Sequence, residues 1–305
     1  MTSTYAILDP SSPPTRARRL ACALAMMIKA PRPGASKTRL VPPLTHEEAA
    51  ALSVCFLRDT AANIAAACAA SASAARGVAV YTPVGAESAF DGLLPADFAL
   101  LAQRGAGFGE RLFHAADDLL RAGFDSLCLI DSDSPTLPTR ALAAAVEELA
   151  KPGERVVLGA ADDGGYYLIG IKSAHRRLFE RIDWSTERVA AQTIERAAEI
   201  NLPVALLPAW YDVDDAATLS RLCRELFGAA RETKEPRGVE GSGASCPAEP
   251  AGYDAPHTRD FLARLIEREG RGRVWNEPPP RDRAAEANDD DAADTDGARG
   301  AGATS

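Results

Sequence analysis

Seven short apolar runs constrain this chain more than any other feature. They are Ala21–Ile28, Gly77–Tyr81, Phe98–Leu101, residues 126–131, Arg155–Gly159, Tyr166–Ile171 and Pro203–Leu207. Each is of strand length and too short for a core helix. Stretches with helical spacing separate most of them. The longest opens at a capping box, Thr45-His-Glu-Glu48, and runs Ala-rich to about Ala70. Others are expected over 110–121, 139–149, 175–181, 186–200 and 215–227. Strands alternating with helices predict an α/β fold with a mostly parallel sheet, whose ligands lie beyond the carboxyl ends of the strands.

The flanks read differently. Residues 1–19 are rich in Ser, Pro and Arg and are expected to be a disordered extension. Arg16, Arg18 and Arg19 precede an apolar run and so mimic a signal peptide, but cleavage there would remove the first core strand. Residues 20–228 are expected to form the folded domain. Residues 229–305 read as a flexible linker, a short amphipathic helix over about 258–269 and an acidic disordered tail. Phe261, Leu262, Leu265 and Ile266 fall on one face of that helix, which suits docking on the domain or on a partner.

Composition excludes several classes. The net charge of −9 gives no basic excess, so a general nucleic-acid binder is not expected. No apolar run approaches the roughly 20 residues of a membrane helix. Six scattered cysteines without a CxxC pair predict core thiols in a reducing cytoplasm rather than disulfides or zinc ligands. The oligomeric state is not legible.

Four segments carry chemistry. KAPRPGASKTRL (Lys29–Leu40) follows a strand and places Lys37 and Arg39 after a loop shaped by Pro33 and Gly34. Lys and Arg neutralise phosphate oxygens, although the same loop also reads as a solvated surface turn. QRGAGFGERL bends through three glycines, Gly109 among them, into a helix carrying Arg111. Helix N-termini attract anions, and a plain glycine loop fits equally. LCLIDSDSP runs a strand into Asp131 and Asp133, two hard-oxygen donors suited to Mg²⁺ or Mn²⁺, or a solvated Asp-Ser turn. YDVDD supplies Asp214 and Asp215, one of which caps the last helix unless a metal claims it. In addition, Asp163 of DDGGY suits a general base or a turn, and Trp184 of DWST suits ligand stacking or core packing.

With KAPRPGASKTRL, GERL, IDSDSP, DDGGYYLIG, DWST and YDVDD in that order, the chain from about Ala21 to Phe227 resembles a GT-A-type family. It is the rSAM/selenodomain-associated transferase 1 family, often labelled glycosyltransferase or domain of unknown function. That family is similar to the nucleotide-diphospho-sugar transferase superfamily. The resemblance implies a Rossmann-like GT-A fold, a three-layer α/β/α sandwich with a mostly parallel central sheet. It implies phosphate contacts from Lys29, Pro33, Gly34, Lys37, Arg39, Gly109 and Arg111, and a divalent metal on Asp133 and Asp214. Asp131 stands where relatives commonly have Gly, so it is expected behind the ligands. Relatives often show GDLGER where this chain has GAGFGER. Catalytic roles fall on Asp163 and Lys37, and acceptor contacts on Gly164, Gly165, Tyr166, Trp184 and Ser185.

The resemblance implies a cytoplasmic, metal-dependent transferase using a nucleotide-activated donor and a small-molecule acceptor. Glycosyl transfer is the leading form, nucleotidyl transfer the alternative, and a non-catalytic nucleotide-binding module the third. One consequence is testable without knowing the substrate. Residues 276–305 lack a hydrophobic pattern. Truncation after Trp275 is expected to leave Tm within about 2 °C by calorimetry, and a larger drop would mean that the tail packs on the domain.

Overall fold

The computed structural model describes residues 5–12, 20–72, 74–228 and 251–275. The strands are β1 (Ala6–Ile7), β2 (Leu20–Lys29), β3 (Ala75–Thr82), β4 (Ala99–Ala102), β5 (Phe124–Ile130), β6 (Val156–Ala161), β7 (Tyr166–Ile171) and β8 (Val204–Trp210). They form one sheet in the order β1-β4-β3-β2-β5-β7-β6-β8. All neighbours are parallel except β7, which runs antiparallel to both β5 and β6. The carboxyl ends of β2, β3, β4 and β5 therefore share one edge.

The helices are α1 (His46–Ala70), α2 (Phe108–Arg121), α3 (Thr139–Ala150), α4 (Val189–Glu199), α5 (Ala216–Phe227) and α6 (Pro256–Glu269). Side chains alternate along β2, so Leu24 and Met26 meet α1 and α3 while Ala23 and Ala25 meet α2 and α4. The expected three-layer sandwich results, with strands close to their expected positions. Two helical expectations shrink. Residues 175–181 hold only a 3₁₀ turn over Arg176–Phe179, and α4 spans less than 186–200.

A third apolar cluster joins α1, α5 and α6, and it corrects the expected domain boundary. Leu262 and Leu265 of α6, with Trp275 beyond it, share this cluster with Leu52 and Phe56 of α1 and with Leu219 and Leu222 of α5. The helix expected over 258–269 thus docks on this domain. No residue of its own caps its start, where Ala255 is left-handed (φ 42°). The buried Asp59 carboxylate of α1 does so instead, accepting from the backbone N–H of His257 (3.1 Å) and Thr258 (2.7 Å). Glu48 closes the far end, pairing with Arg268 (2.8 Å) and Arg273.

The N-terminal expectation also needs correction. Residues 5–12 are not a featureless extension. β1 adds a parallel strand to β4, and the buried Tyr5 hydroxyl donates to Leu94 O (2.9 Å). One aromatic anchor and two paired residues are too short a signal for hydrophobic periodicity to register. The expected linker over 229–250 and tail over 276–305 lie outside the described residues.

Helix α1 is, by length and composition, apolar enough to cross a membrane, contrary to the count of apolar runs. Its apolarity has a cause within the fold. Leu52 and Phe56 face the α5–α6 cluster, while Leu57, Ala61 and Ile64 face the sheet. A helix buried on two sides cannot keep a single apolar stripe. Cys22, Cys128 and Cys223 are buried, and the five described cysteines are all free thiols, as expected.

Because α6 relies on a borrowed cap, Asp59→Ala is expected to lower stability by about 2 kcal/mol in urea unfolding. A variant as stable as the wild type would show that apolar packing alone holds α6.

Candidate active site

Ammonium chemistry organises the edge where the strands end. Lys37 sits in the loop after β2 with a left-handed backbone (φ 49°). Such a conformation costs a side-chain-bearing residue on the order of 1 kcal/mol and persists where surroundings enforce it. Here the surroundings are three acceptors. Nζ donates to Val213 O (2.8 Å) and Asp214 Oδ1 (2.8 Å), and pairs with Asp133 Oδ1 (2.9 Å). Nζ also stands 5.6 Å from the Phe56 ring centre.

The Lys37 side chain is 7% exposed, against 39% for Asp133 and 42% for Asp214. Burial works against its charge, but Asp133 and then Asp214 outweigh that, and the ammonium is held above the ordinary lysine range. All three of its N–H donors are engaged, so the expectation that Lys37 meets phosphate is not met in this arrangement. It ties together two carboxylates from the ends of different strands, β5 and β8.

Asp215 settles the choice left open in YDVDD. Its side chain caps α5 by accepting from Thr218 N (2.8 Å), leaving Asp214 to Lys37, with Arg39 Nη1 3.9 Å from its other oxygen. Asp131 bonds within its own turn rather than to Lys37. Ser134 Oγ donates to its Oδ2 (3.0 Å), and Asp133 N approaches its Oδ1 (3.4 Å). Burial, and next the charge of Asp133, push the Asp131 carboxyl well above the usual range. It braces the turn that presents Asp133, a place behind that residue. Asp212 was missed by sequence reasoning. Burial and then the charges of Asp214 and Asp163 raise its carboxyl to about 6.

These groups border a cleft of about 620 Å³. Lys29, Lys37, Arg39, Arg111, Asp133, Asp163, Asp214 and Ser185 all line it, as do Gln103, Phe108, Ser132 and Thr186. Lys29 donates to Ala35 O (3.3 Å), closing the loop in which Pro33 and Gly34 are exposed but do not border the cleft. The Arg111 Nε is buried with no hydrogen-bond partner among the described residues. Asp163 accepts from Gly165 N (2.8 Å) within its turn and still faces the cleft.

Other expected site residues serve the scaffold. A Cβ on Gly109 would lie 2.5 Å from Phe179 O and 2.8 Å from Trp184 Nε1, so its role is close packing rather than phosphate approach. Trp184 packs edge-on to Phe108 (5.0 Å) and Tyr166 (6.4 Å) and does not border the cleft. Gly164 has φ +88°, and a Cβ there would meet Glu187 O at 2.1 Å, so Gly164 and Gly165 shape the turn and do not line the acceptor side. Tyr166 lines a smaller cavity of about 160 Å³ beside Asp131 and Asp133, its hydroxyl buried without a partner among the described residues.

The donor chemistry fits a hard divalent cation in kind. Asp133 and Asp214 offer oxygen only and already share one positive charge. Among the described residues no group of three or more His, Cys, Asp or Glu side chains is arranged to hold a metal. Two carboxylates need ligand oxygens to complete a Mg²⁺ or Mn²⁺ shell.

Comparison places this fold. A family profile described as "Uncharacterized protein conserved in bacteria (DUF2064)" matches residues 64–186. A crystal structure from Desulfovibrio desulfuricans G20, provisionally described as a nucleotide-diphospho-sugar transferase, is 27% identical. The match covers 84% of this chain and 99% of that one, with a TM-score of 0.65. A cytidylyltransferase from Leptospira borgpetersenii is 10% identical over 85% of this chain and 99% of its own, with a TM-score of 0.44. A CMP:2-keto-3-deoxy-manno-octonic acid synthetase in complex with CTP is 11% identical over 66% and 96%, with a TM-score of 0.43. These two distant likenesses add nothing to the reading of this site. No curated protein matches the chain.

Lys37→Met is expected to leave two facing carboxylates unpaired and to lower stability. Asp133 and Asp214 are partly solvated, which limits the loss to about 1–2 kcal/mol. Millimolar Mn²⁺ is expected to restore part of it in thermal melts. No recovery with Mn²⁺ would show that the pair does not accept a divalent ion.

Proposed function

From the GT-A-like fold of the nucleotide-diphospho-sugar transferase superfamily, which this chain shares, we propose a transferase acting on a nucleotide-activated donor. The transferred group is a sugar from a nucleotide-sugar, and the acceptor is a small molecule. One observation carries the reading. Asp133 and Asp214, from the ends of two strands, converge on a single charge in a cleft that Lys29, Arg39 and Arg111 also border. Clustered acids beside clustered bases suit a diphosphate and its counter-ion.

In this reading Asp133 and Asp214 hold Mg²⁺ or Mn²⁺, which supplies positive charge to the diphosphate leaving group when bound. Lys37 holds the two carboxylates at one point. Arg39, 73% exposed, and Arg111, with its unpartnered Nε, are the bases free to take phosphate oxygens. Asp163 stands at the cleft as the base that takes the acceptor hydroxyl proton. Phe108 borders the cleft beside these groups, backed by the edge-on ring of Trp184.

Nucleotidyl transfer is the second reading. It is favoured by the separate origins of the two carboxylates, since Asp214 matches the second metal carboxylate of related nucleotidyltransferases. Incubation with UDP-, GDP- and ADP-sugars and the four ribonucleoside triphosphates, with Mn²⁺ and a metabolite extract, separates the two by mass spectrometry. A nucleoside diphosphate product from a sugar donor is expected, with Asp133→Asn slower by about 100-fold. Pyrophosphate release from a triphosphate, without any diphosphate from a sugar donor, would establish nucleotidyl transfer instead.

A further inference from the structure

The loop that brings Lys37 and Arg39 to the cleft is held from behind by a residue far along the chain. After Lys37 the backbone makes a 3₁₀ turn, Thr38–Leu40, and then reaches α1 at His46. Lys37 ties the front of this stretch to Asp133 and Asp214. At the back stand Pro42 and Pro43, which have no N–H, so the backbone there can be hydrogen-bonded only through its carbonyls.

Arg273 supplies the donor. Its Nε donates to Pro43 O (3.0 Å). Its Nη1 stands 3.1 Å from Glu48 Oε1 and 3.0 Å from Glu269 Oε2, and its Nη2 pairs with Glu48 Oε2. The guanidinium fork thus joins the loop, the first turn of α1 and the end of α6. Glu48 is also the capping-box residue of α1, accepting from Thr45 N (2.9 Å). A planar group with five donors can serve these directions together, whereas a lysine has one nitrogen. Leu40 and Leu44 of the loop are buried in the same apolar cluster as Val274 and Trp275, the two residues after Arg273.

Arg39 lies between the two anchors. Among the described residues it pairs with Asp214 alone, at 3.9 Å, and its side chain is 73% exposed. Its direction is therefore set by the backbone that carries it. That backbone is continuous in its bonding, with Leu40 N on Lys37 O (3.0 Å), Val41 N on Thr38 O (3.2 Å) and Leu44 N on Leu40 O (2.8 Å). A shift at Pro43 is passed along these bonds to Arg39.

We propose that Arg273 is a positioning residue for the cleft. It does not line the cleft and acts through Arg39, by holding the turn between Lys37 and Leu44 so that Arg39 points at the phosphates of the ligand. This rests on the phosphate reading of the cleft. It also gives the segment after α6 a part in ligand binding, although it lies outside the stretch that carries the sequence motifs.

The test measures binding of inorganic pyrophosphate by calorimetry with Mg²⁺, on the full chain. Arg39→Ala is expected to weaken binding about 10-fold and Arg273→Ala about 5-fold. In the Arg39→Ala background, Arg273→Ala is expected to cause no further loss, because both changes remove one contact. Millimolar guanidinium chloride, but not sodium chloride, is expected to restore binding in Arg273→Ala. Arg273→Lys keeps the charge beside Glu48 and Glu269, and is expected to bind as weakly as Arg273→Ala. In that variant the amides of Leu40, Val41 and Leu44 are expected to exchange hydrogen faster while α6 stays protected. Wild-type affinity in both Arg273 variants overturns the proposal, as does a further loss in the Arg39→Ala background. Unchanged exchange in the loop overturns it too, and so does exchange that rises equally throughout α6. A wild type that binds no pyrophosphate overturns the phosphate reading of the cleft, and the role of Arg273 with it.

Discussion

One ammonium group sets the geometry of this site. Lys37 Nζ joins the loop after β2 to the turn after β5 and to the segment between β8 and α5. Among the described residues no other side chain pairs with both carboxylates. Its Nζ also stands 5.6 Å from the ring centre of Phe56, which brings α1 to the same point. A left-handed backbone at Lys37 is tolerated because three acceptors reward the direction it gives the side chain. The interaction is a charge balance before it is a catalytic device. Without it, neighbouring carboxylates would repel across a partly desolvated cleft.

The acids around it divide by environment. Asp131 and Asp212 are pushed toward their neutral forms, chiefly by burial. Asp133 and Asp214 remain in contact with solvent and with Lys37. Asp131 braces the turn from behind, by accepting from Ser134, while Asp133 faces outward. Two residues along one chain thus take different jobs because a strand end turns one inward and the next into the cleft. The pair at Asp214 and Asp215 divides in the same way, between ion pair and helix cap.

Much of the scaffold was legible because it is local. The capping box at Thr45 and the apolar runs of β2, β5 and β7 depend on neighbours a few residues away. The acidic turns were also legible as positions. Their partners were not, since Lys37 and Val213 are 176 residues apart and no spacing rule links them. Gly109 illustrates the opposite error. A glycine at a helix start reads as an anion site, yet here it makes room for Trp184, which only the folded chain brings close. Gln103 opens the segment QRGAGFGERL, yet the carbonyls that hold its side chain, on two other strands, could not be read from it. β1 is two residues long and depends on Tyr5 finding Leu94, a contact invisible to periodicity.

The cap that Asp59 gives to α6 has a consequence for the order in which the molecule is made. The carboxylate belongs to α1, the first helix of the sandwich, and its two N–H partners lie about 200 residues later in the chain. A nascent chain therefore completes the sheet and its two helical layers while one flank of α1 is still uncovered. Until α6 leaves the ribosome, the apolar cluster around Leu52 and Phe56 lacks Leu262 and Leu265, and Asp59 sits beside it without its partners. At about 5–20 residues per second, that interval lasts on the order of seconds. The arrival of α6 covers that flank and brings the two N–H partners to the carboxylate.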